Sequence, residues 1–428
     1  MLLYTQINSE KKMKQVTIAI VGAGSRGHGY ATYALSHQDT VKVVAVADPD
    51  DFRRNRIASE HNIPAENVFH TYQEMLERPR LADAVIIATQ DKMHMDPVLG
   101  IAAKKYDILL EKPMATTAED CLRINKAVKD AGIIFGVCFV LRYTPYFRKL
   151  RELIHSGAIG ELVTFRHLEK VGFWHQAHSF VRGNWRNTAE SSPMILAKCS
   201  HDLDILNFLI GKKCLQISSF GSLKFFKKEN QPAGAADRCM QCKYADECTY
   251  SAKRYYFGQL HKRNRPWPLN VITNELTEEG VTEALENGPY GRCVFACDND
   301  VVDNQVLNFV YEGGISGNMT MTAFTQEVAR ESEFRGTHGV IKGDGKTLTL
   351  IRFNDQEDDR EVFDTATGNQ SLAGGHGGGD AGLMNDFIRA VAMQDQSQLG
   401  ATADEMLAGH LMAFEAEESR LNNQIRFL

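Results

Sequence analysis

The chain has 428 residues, 43% hydrophobic and 24% charged, with a formal net charge of -6. That length exceeds what one hydrophobic core organises and calls for two domains, while the acidic balance argues against a nucleic-acid partner. No apolar run reaches the roughly 18 residues that span a bilayer, and the nine cysteines do not form an even-numbered disulfide framework.

The N-terminal stretch MLLYTQINSEKKMK lacks the basic-then-apolar order of a signal peptide, so the cytoplasm is the expected compartment and residues 1–14 are expected to be a solvated arm. "VTIAIVGAGSRGHGYA" then reads as a strand from Val16 to Val21, a glycine-rich turn and a helix. Gly22, Gly24 and Gly27 supply GxGxxG spacing, with Ser25 and Arg26 inside it. A tight turn, close backbone approach and helical N–H groups aimed outward suit a pyrophosphate. "VKVVAVADPD" is a second buried strand closed by Asp48. A carboxylate there accepts from both adenine-ribose hydroxyls and repels a 2′-phosphate, which favours NAD over NADP. Arg26, Arg53 and Arg54 are the counter-evidence.

"ADAVIIATQDKMHMDPVLGIAAKK" supplies another strand, a loop and a helix, and "YDILLEKP" the next strand. "TAEDCLRINKAVKDAG" is a helix with a Thr cap and a Gly stop, and "IIFGVCFVLR" a further strand. Strands alternating with helices give a doubly wound parallel Rossmann sheet, α/β in class, expected over residues 15–145. Ligands of such sheets lie off the carboxyl ends of the strands. Glu111 and Lys112 therefore emerge at the ligand edge, with Pro113 fixing the backbone φ beyond them.

The glycine turn, the acidic end of the second strand, "ATQDKMH", "EKP" and "RYTP" in that order resemble the Gfo/Idh/MocA oxidoreductases, the family of glucose-fructose oxidoreductase and inositol dehydrogenase. The resemblance implies that Thr89, His94, Glu111 and Lys112 lie along the cofactor. It also implies that Lys112 stands beside the reacting hydroxyl, with Arg142 and Tyr143 on the substrate side. It extends over most of the chain. A non-catalytic sensor of the same fold is the alternative, because the family includes transcriptional regulators.

Residues 146–428 are expected to form an α+β domain with a largely antiparallel open sheet, since "LQISSFGSLKFF", "DNQVLNFVYEGGISGNMTMTAFT" and "FRGTHGVIKGDGKTLTLIRF" read as meandering strands. The resemblance makes this the substrate and oligomerisation domain, in a homodimer or homotetramer. Two helices are expected at the end, after a glycine-rich loop that contains His376 and puts Asp380 at a cap position. "SSPMILAKCSHDLDILNFLIG" reads as one amphipathic helix carrying Lys198, His201, Asp202 and Asp204. In the family, such a helix presents an aspartate four residues before a histidine. His201 matches the histidine and Asp204 the carboxylate after it, which the resemblance puts on the substrate side, but Ala197 stands where the aspartate would be. His201 is then the acid–base candidate and Lys198 a second catalytic candidate beside the gap.

"EKVGFWHQAHSFVRGNWRN" is dense in aromatic and cationic groups suited to a sugar or polyol, with His175, His178, Arg182 and Trp185 as substrate candidates. Finally, an insertion at about 230–298 carries Cys239, Cys242 and Cys248 in a CxxC-x5-C pattern, with Cys293 or Cys297 as a fourth donor. A structural zinc on Cys239, Cys242, Cys248 and Cys297 is one expectation. Reduced thiols, a disulfide and an iron–sulfur site are the others.

Overall fold

The computed structural model describes residues 14–262, 267–354, 359–366 and 377–428. Most of the N-terminal arm and the His376 position lie outside these residues. The first six strands are β1 (Val16–Val21), β2 (Val41–Ala47), β3 (Val68–Phe69), β4 (Ala84–Ile87), β5 (Asp107–Leu110) and β6 (Phe135–Val137). They form one parallel sheet in the order β3-β2-β1-β4-β5-β6. Both faces are covered, so the strands are apolar throughout rather than alternating. Ile18 and Ile20 face one helical layer, while Ala19 and Val21 face the other.

The next nine strands are β7 (Leu162–Lys170), β8 (Cys214–Ser222), β9 (Asn304–Tyr311), β10 (Ser316–Thr322), β11 (Ala329–Gly336), β12 (Gly339–Gly343), β13 (Thr347–Arg352), β14 (Arg360–Asp364) and β15 (Arg426–Phe427). Their order is β14-β13-β12-β11-β7-β10-β9-β8-β15, antiparallel except for the β7–β10 pair. One face packs on helices Pro145–His155, Ser200–Ile210 and Ala403–Asn422 through Leu150, Leu203, Leu206, Met412 and Ala416. The class expected from sequence, α/β followed by α+β with a largely antiparallel sheet, is the one observed.

The two final helices do not stay with the second sheet. Gly379–Met393 inserts Leu383, Met384 and Phe387 into the core of the first sheet. Ala403–Asn422 gives Met406 to the first sheet's other face and Met412 to the second sheet. Its start is fixed by a capping box between Thr402 and Glu405. Asp380 sits in the first turn of its helix and pairs with Arg26 at 2.6 Å, a longer-range role than the expected cap. Among the described residues no helix is long and apolar enough to cross a membrane.

Two glycines of the first loop are required by geometry. Gly22 has φ +91, and a Cβ there would lie 2.5 Å from the Ala88 carbonyl oxygen. A Cβ on Gly27 would lie 1.9 Å from the Gly22 carbonyl oxygen. Gly24 differs, because nothing lies within 4 Å of its Cβ position. Gly27→Ala should therefore cost about 1–3 kcal/mol of stability through backbone displacement, whereas Gly24→Ala should leave it nearly unchanged. Thermal unfolding of the two variants without added ligand checks this, and equal losses would refute it.

Candidate active site

The glycine turn leads into helix Ser25–Ser36, whose N-cap, Gly24, places no side chain over the first N–H groups. Beside it Asp48 is buried at the end of β2. Its carboxylate accepts from Ala23 N at 2.6 Å and Asp50 N at 2.8 Å. An ionised carboxylate offers about four lone-pair sites, so these two bonds orient it and leave capacity for hydroxyls arriving at the loop. Arg54 donates to the Asp48 carbonyl at 2.5 Å and pairs with Asp51, while Arg53 pairs with Asp50. The open space at Gly24, the uncapped helix start and the carboxylate opposite fit a dinucleotide.

Arg26, inside the motif, is half-exposed and pairs with two carboxylates. It bonds Glu111 at 2.5 Å and Asp380 at 2.6 Å, and its guanidinium stacks 4.7 Å over the Tyr30 ring. Tyr30 donates to the same Glu111 carboxylate at 2.7 Å. Burial works against the Glu111 charge, yet Arg26, Lys112 and Tyr30 together hold the carboxyl below its usual range. Its other oxygen accepts from the Lys112 backbone N–H at 3.0 Å. The two residues after Lys112 are pinned as well. His94, fully buried, donates through Nδ1 to the Pro113 carbonyl at 2.7 Å, and its Nε2 lies 3.2 Å from the Thr89 carbonyl. His410 accepts the Met114 N–H at 2.8 Å and donates to the Met406 carbonyl. Burial drives the His410 imidazole down to about 4, which suits a ring that must accept at one nitrogen.

The Lys112 side chain crosses to the second domain, where Nζ donates to the Ala197 carbonyl at 2.7 Å. That carbonyl is accessible because the expected single helix is two, Met194–Ala197 and Ser200–Ile210, broken at Lys198 and Cys199. An uninterrupted helix would commit the carbonyl to the N–H four residues on. Trp185 lies across from the ammonium, its ring centroid 5.6 Å from Nζ, and its indole N–H bonds Asp91 at 3.0 Å. Desolvation lowers the Lys112 pKa below the ordinary lysine value, with Lys198 and Arg26 adding to it, while Asp91 and Glu111 oppose the shift.

Lys198 does meet a carboxylate, supplied by β7 instead of its own helix: Nζ lies 3.0 Å from the buried Glu169. Glu169 also pairs with Arg330 at 3.0 Å, Arg330 with Asp202 at 2.7 Å, and Asp202 with His167 at 2.9 Å. His201 is buried in the first turn of helix Ser200–Ile210, with its ring edge-on to Phe139 at 5.9 Å.

Gln176–Arg182 is a π-helical turn that carries His178, and His175 immediately precedes it; both histidines face an aromatic wall. His175 lies 5.5 Å from Trp174 and 5.7 Å from Trp267, and Trp174 stacks on Tyr255 at 5.6 Å. Burial, with Lys198, His178 and Lys112 nearby, keeps the His175 pKa well below its ordinary value. His178 bonds Tyr256 at 2.6 Å, stacks on Tyr290, and is pushed down to about 3 by burial and Arg182. Arg182 donates to the Arg292 and Tyr250 carbonyls, both at 2.7 Å, which tie it to the insertion.

Lys112, Lys198, His175 and Trp185 are thus drawn into one region. Tyr143 instead bonds the Leu399 carbonyl at 2.9 Å. Sequence reading missed Asp91, Tyr30, Glu169, Trp267 and His410. Asp91 was visible as an acid just past a strand end, whereas a histidine on an apolar helical stripe carries no such signal.

The zinc expectation is corrected. Among the described residues no group of three or more His, Cys, Asp or Glu side chains is disposed to hold a metal ion. Cys297, the expected fourth ligand, points its thiol at the Cys293 carbonyl, 3.3 Å away.

Arg142 and Asp204 form a two-pronged ion pair, 2.7 Å on each prong, with both side chains buried. Each charge is satisfied by the other inside the protein. Asp204→Ala strands the arginine and should cost about 3–5 kcal/mol, while an apolar pair of similar volume at both positions should be near neutral. Denaturant unfolding of the single and double variants distinguishes these, and a small single-variant loss would show that water reaches the pair.

A family model described as an oxidoreductase family with an NAD-binding Rossmann fold matches residues 16–139, and its C-terminal alpha/beta domain matches residues 151–419. YteT of Bacillus subtilis is 25% identical over 74% of both chains. The scyllo-inositol 2-dehydrogenase (NAD(+)) of Bacillus subtilis is 30% identical over 49% of this chain and 58% of its own. The 2,7-anhydro-N-acetylneuraminate hydratase of Escherichia coli is 30% identical over 46% of this chain and 50% of its own, so the match spans only about half the length of these two enzymes. In fold, it superposes on levoglucosan dehydrogenase in complex with NADH and levoglucosan with a TM-score of 0.71, at 17% identity, over 97% of this chain and 99% of that one. The Rossmann sheet, the glycine loop and the matches along both domains agree: the chain belongs to the Gfo/Idh/MocA family of oxidoreductases.

Proposed function

We propose that the protein is an NAD-dependent dehydrogenase that moves a hydride between the nicotinamide and a secondary hydroxyl or keto group of a sugar, polyol or glycoside. The observation that carries this reading is Lys112: a half-buried ammonium at the carboxyl edge of the sheet, held by a neighbouring-domain carbonyl and facing an indole ring. NAD supplies the hydride acceptor when bound, and the chain must handle the proton and the charge. In this reading the Lys112 ammonium stabilises the developing alkoxide, His201 takes the hydroxyl proton, and Lys198 with Glu169 fixes the local charge. Trp185, His175 and the aromatic wall offer flat faces to a sugar ring, and neutral histidines add donors and acceptors for its hydroxyls. Asp48 favours NAD by claiming the adenine-ribose hydroxyls. The exposed cross-strand pair Phe220 and Val306 on the open sheet face supports a homodimer or homotetramer.

NADH formation against a panel of polyols, sugars and glycosides tests the activity itself, and a protein that binds NAD but turns over none of them would favour a sensor. NAD(H) should bind more tightly than NADP(H) by calorimetry, and Asp48→Ala should narrow the gap. Lys112→Ala should leave NAD affinity nearly intact and slow single-turnover hydride transfer by roughly 10²–10⁴. His201→Ala should match it, and the double variant should lose much less than the product of the two. The rate should fall as pH rises through the Lys112 pKa, below the ordinary lysine range. Asp91 holds the proton on, so Asp91→Asn should move that limb to lower pH. A Lys112→Ala enzyme with normal hydride transfer would sink the assignment.

A further inference from the structure

The insertion brings four of its five thiols to one place. Cys239 and Cys242 flank a short turn, and an antiparallel bridge between Arg238 and Arg292 carries Cys293 alongside Cys239 from more than fifty residues away. Cys239, Cys242, Cys248 and Cys293 all line a single cavity of about 230 Å³, whose other walls include Tyr250 and Phe295. A site for one water takes roughly 10–15 Å³ on a comparable measure, so this is room for a group of many atoms. We propose that these four thiolates ligate an iron–sulfur cluster of the four-iron, four-sulfide type.

One observation favours a cluster over a single ion, and two more favour a bound metal group of either kind. The described side chains are not gathered closely enough to serve one ion, whereas a cluster reaches four thiolates spread around a cavity. Donors are aimed at sulfur: the Ala252 N–H lies 3.4 Å from Cys239 Sγ, and the buried Arg182 guanidinium lies 3.7 Å from it. Hydrogen bonds and a cation at the thiolates suit a cluster that carries net negative charge. The described residues of the insertion share two small apolar clusters, one around Tyr256, Val281 and Leu285 and one in which Phe295 meets Phe226, Val181 and Ala323, the situation in which a metal staple contributes folding energy. The proposal is independent of the dehydrogenase reading.

The test is to purify the untagged full chain without oxygen, reconstitute it with ferrous iron and sulfide, and assay both elements. About four iron and four sulfide per chain are expected, with a visible charge-transfer absorption and a paramagnetic signal on reduction by dithionite. Cys239→Ser and Cys293→Ser should each lose most of the iron, whereas Cys297→Ser should keep it, because its thiol turns away from the cavity. Should the ligand variants fail to fold, the stoichiometry of the wild-type chain decides alone. One equivalent of zinc, no bound metal after reconstitution, a disulfide among the four, or a need for Cys297 in place of Cys293 would each overturn the proposal.

Discussion

Everything around the candidate site depends on one constraint: two adjacent charged residues at the end of β5, Glu111 buried and Lys112 half-buried, lose much of their water. A charge removed from water must be paired or bonded, and the chain satisfies each from a different direction. Glu111 is held by Arg26 and Tyr30 from the first helix, and Arg26 reaches on to Asp380 near the C-terminus. Lys112 donates to Ala197 in the second domain. Met114, two residues on, is bonded by His410 from the last long helix. Satisfying this short segment therefore draws three distant parts of the chain onto the edge of the sheet where ligands bind. A buried ion pair by itself is a weak source of stability. What this set supplies is a fixed origin for the lysine.

The same logic explains the break between the helices that carry Ala197 and His201. A continuous helix would engage the carbonyl that Lys112 uses, and it would carry Lys198 away from Glu169. The interruption costs helical hydrogen bonds but leaves an acceptor facing the site and lets Lys198 join a buried set of alternating charges with Glu169, Arg330, Asp202 and His167. The π-helical turn at Gln176–Arg182 is a second departure from regular helix beside the site. Such turns often mark functional positions, because they redirect side chains that a regular helix would place elsewhere.

The insertion does more than decorate the second domain. Tyr255, Tyr256, Trp267 and Tyr290 close the aromatic wall around His175 and His178, and Arg182 fastens the wall to the cysteine-lined cavity. The aromatic wall and the insertion are therefore joined through one arginine. In the dehydrogenase reading, this segment is where substrate choice resides.

The sequence by itself determined the features whose physics is local. The glycine spacing, the buried β1 and β2, the Asp48 carboxylate and the Thr117 helix cap follow from backbone sterics, periodicity and capping over a few residues. The emergence of Glu111 and Lys112 at the ligand edge follows from the alternation of strands and helices. Only tertiary structure decided where long side chains spend their charge. Arg26 is indistinguishable in sequence from a phosphate ligand, and folding sets it against Glu111 and Asp380, far away along the chain. Arg142 and Asp204 read as substrate groups until folding sets them against each other. Cys293 and Cys297 have the same spacing claim on the CxxC pair, and the bridge at Arg238 and Arg292 brings Cys293 to the cavity while Cys297 faces a backbone carbonyl. Pairing between residues remote in sequence is set by the packing of elements, and no periodicity or short motif encodes it.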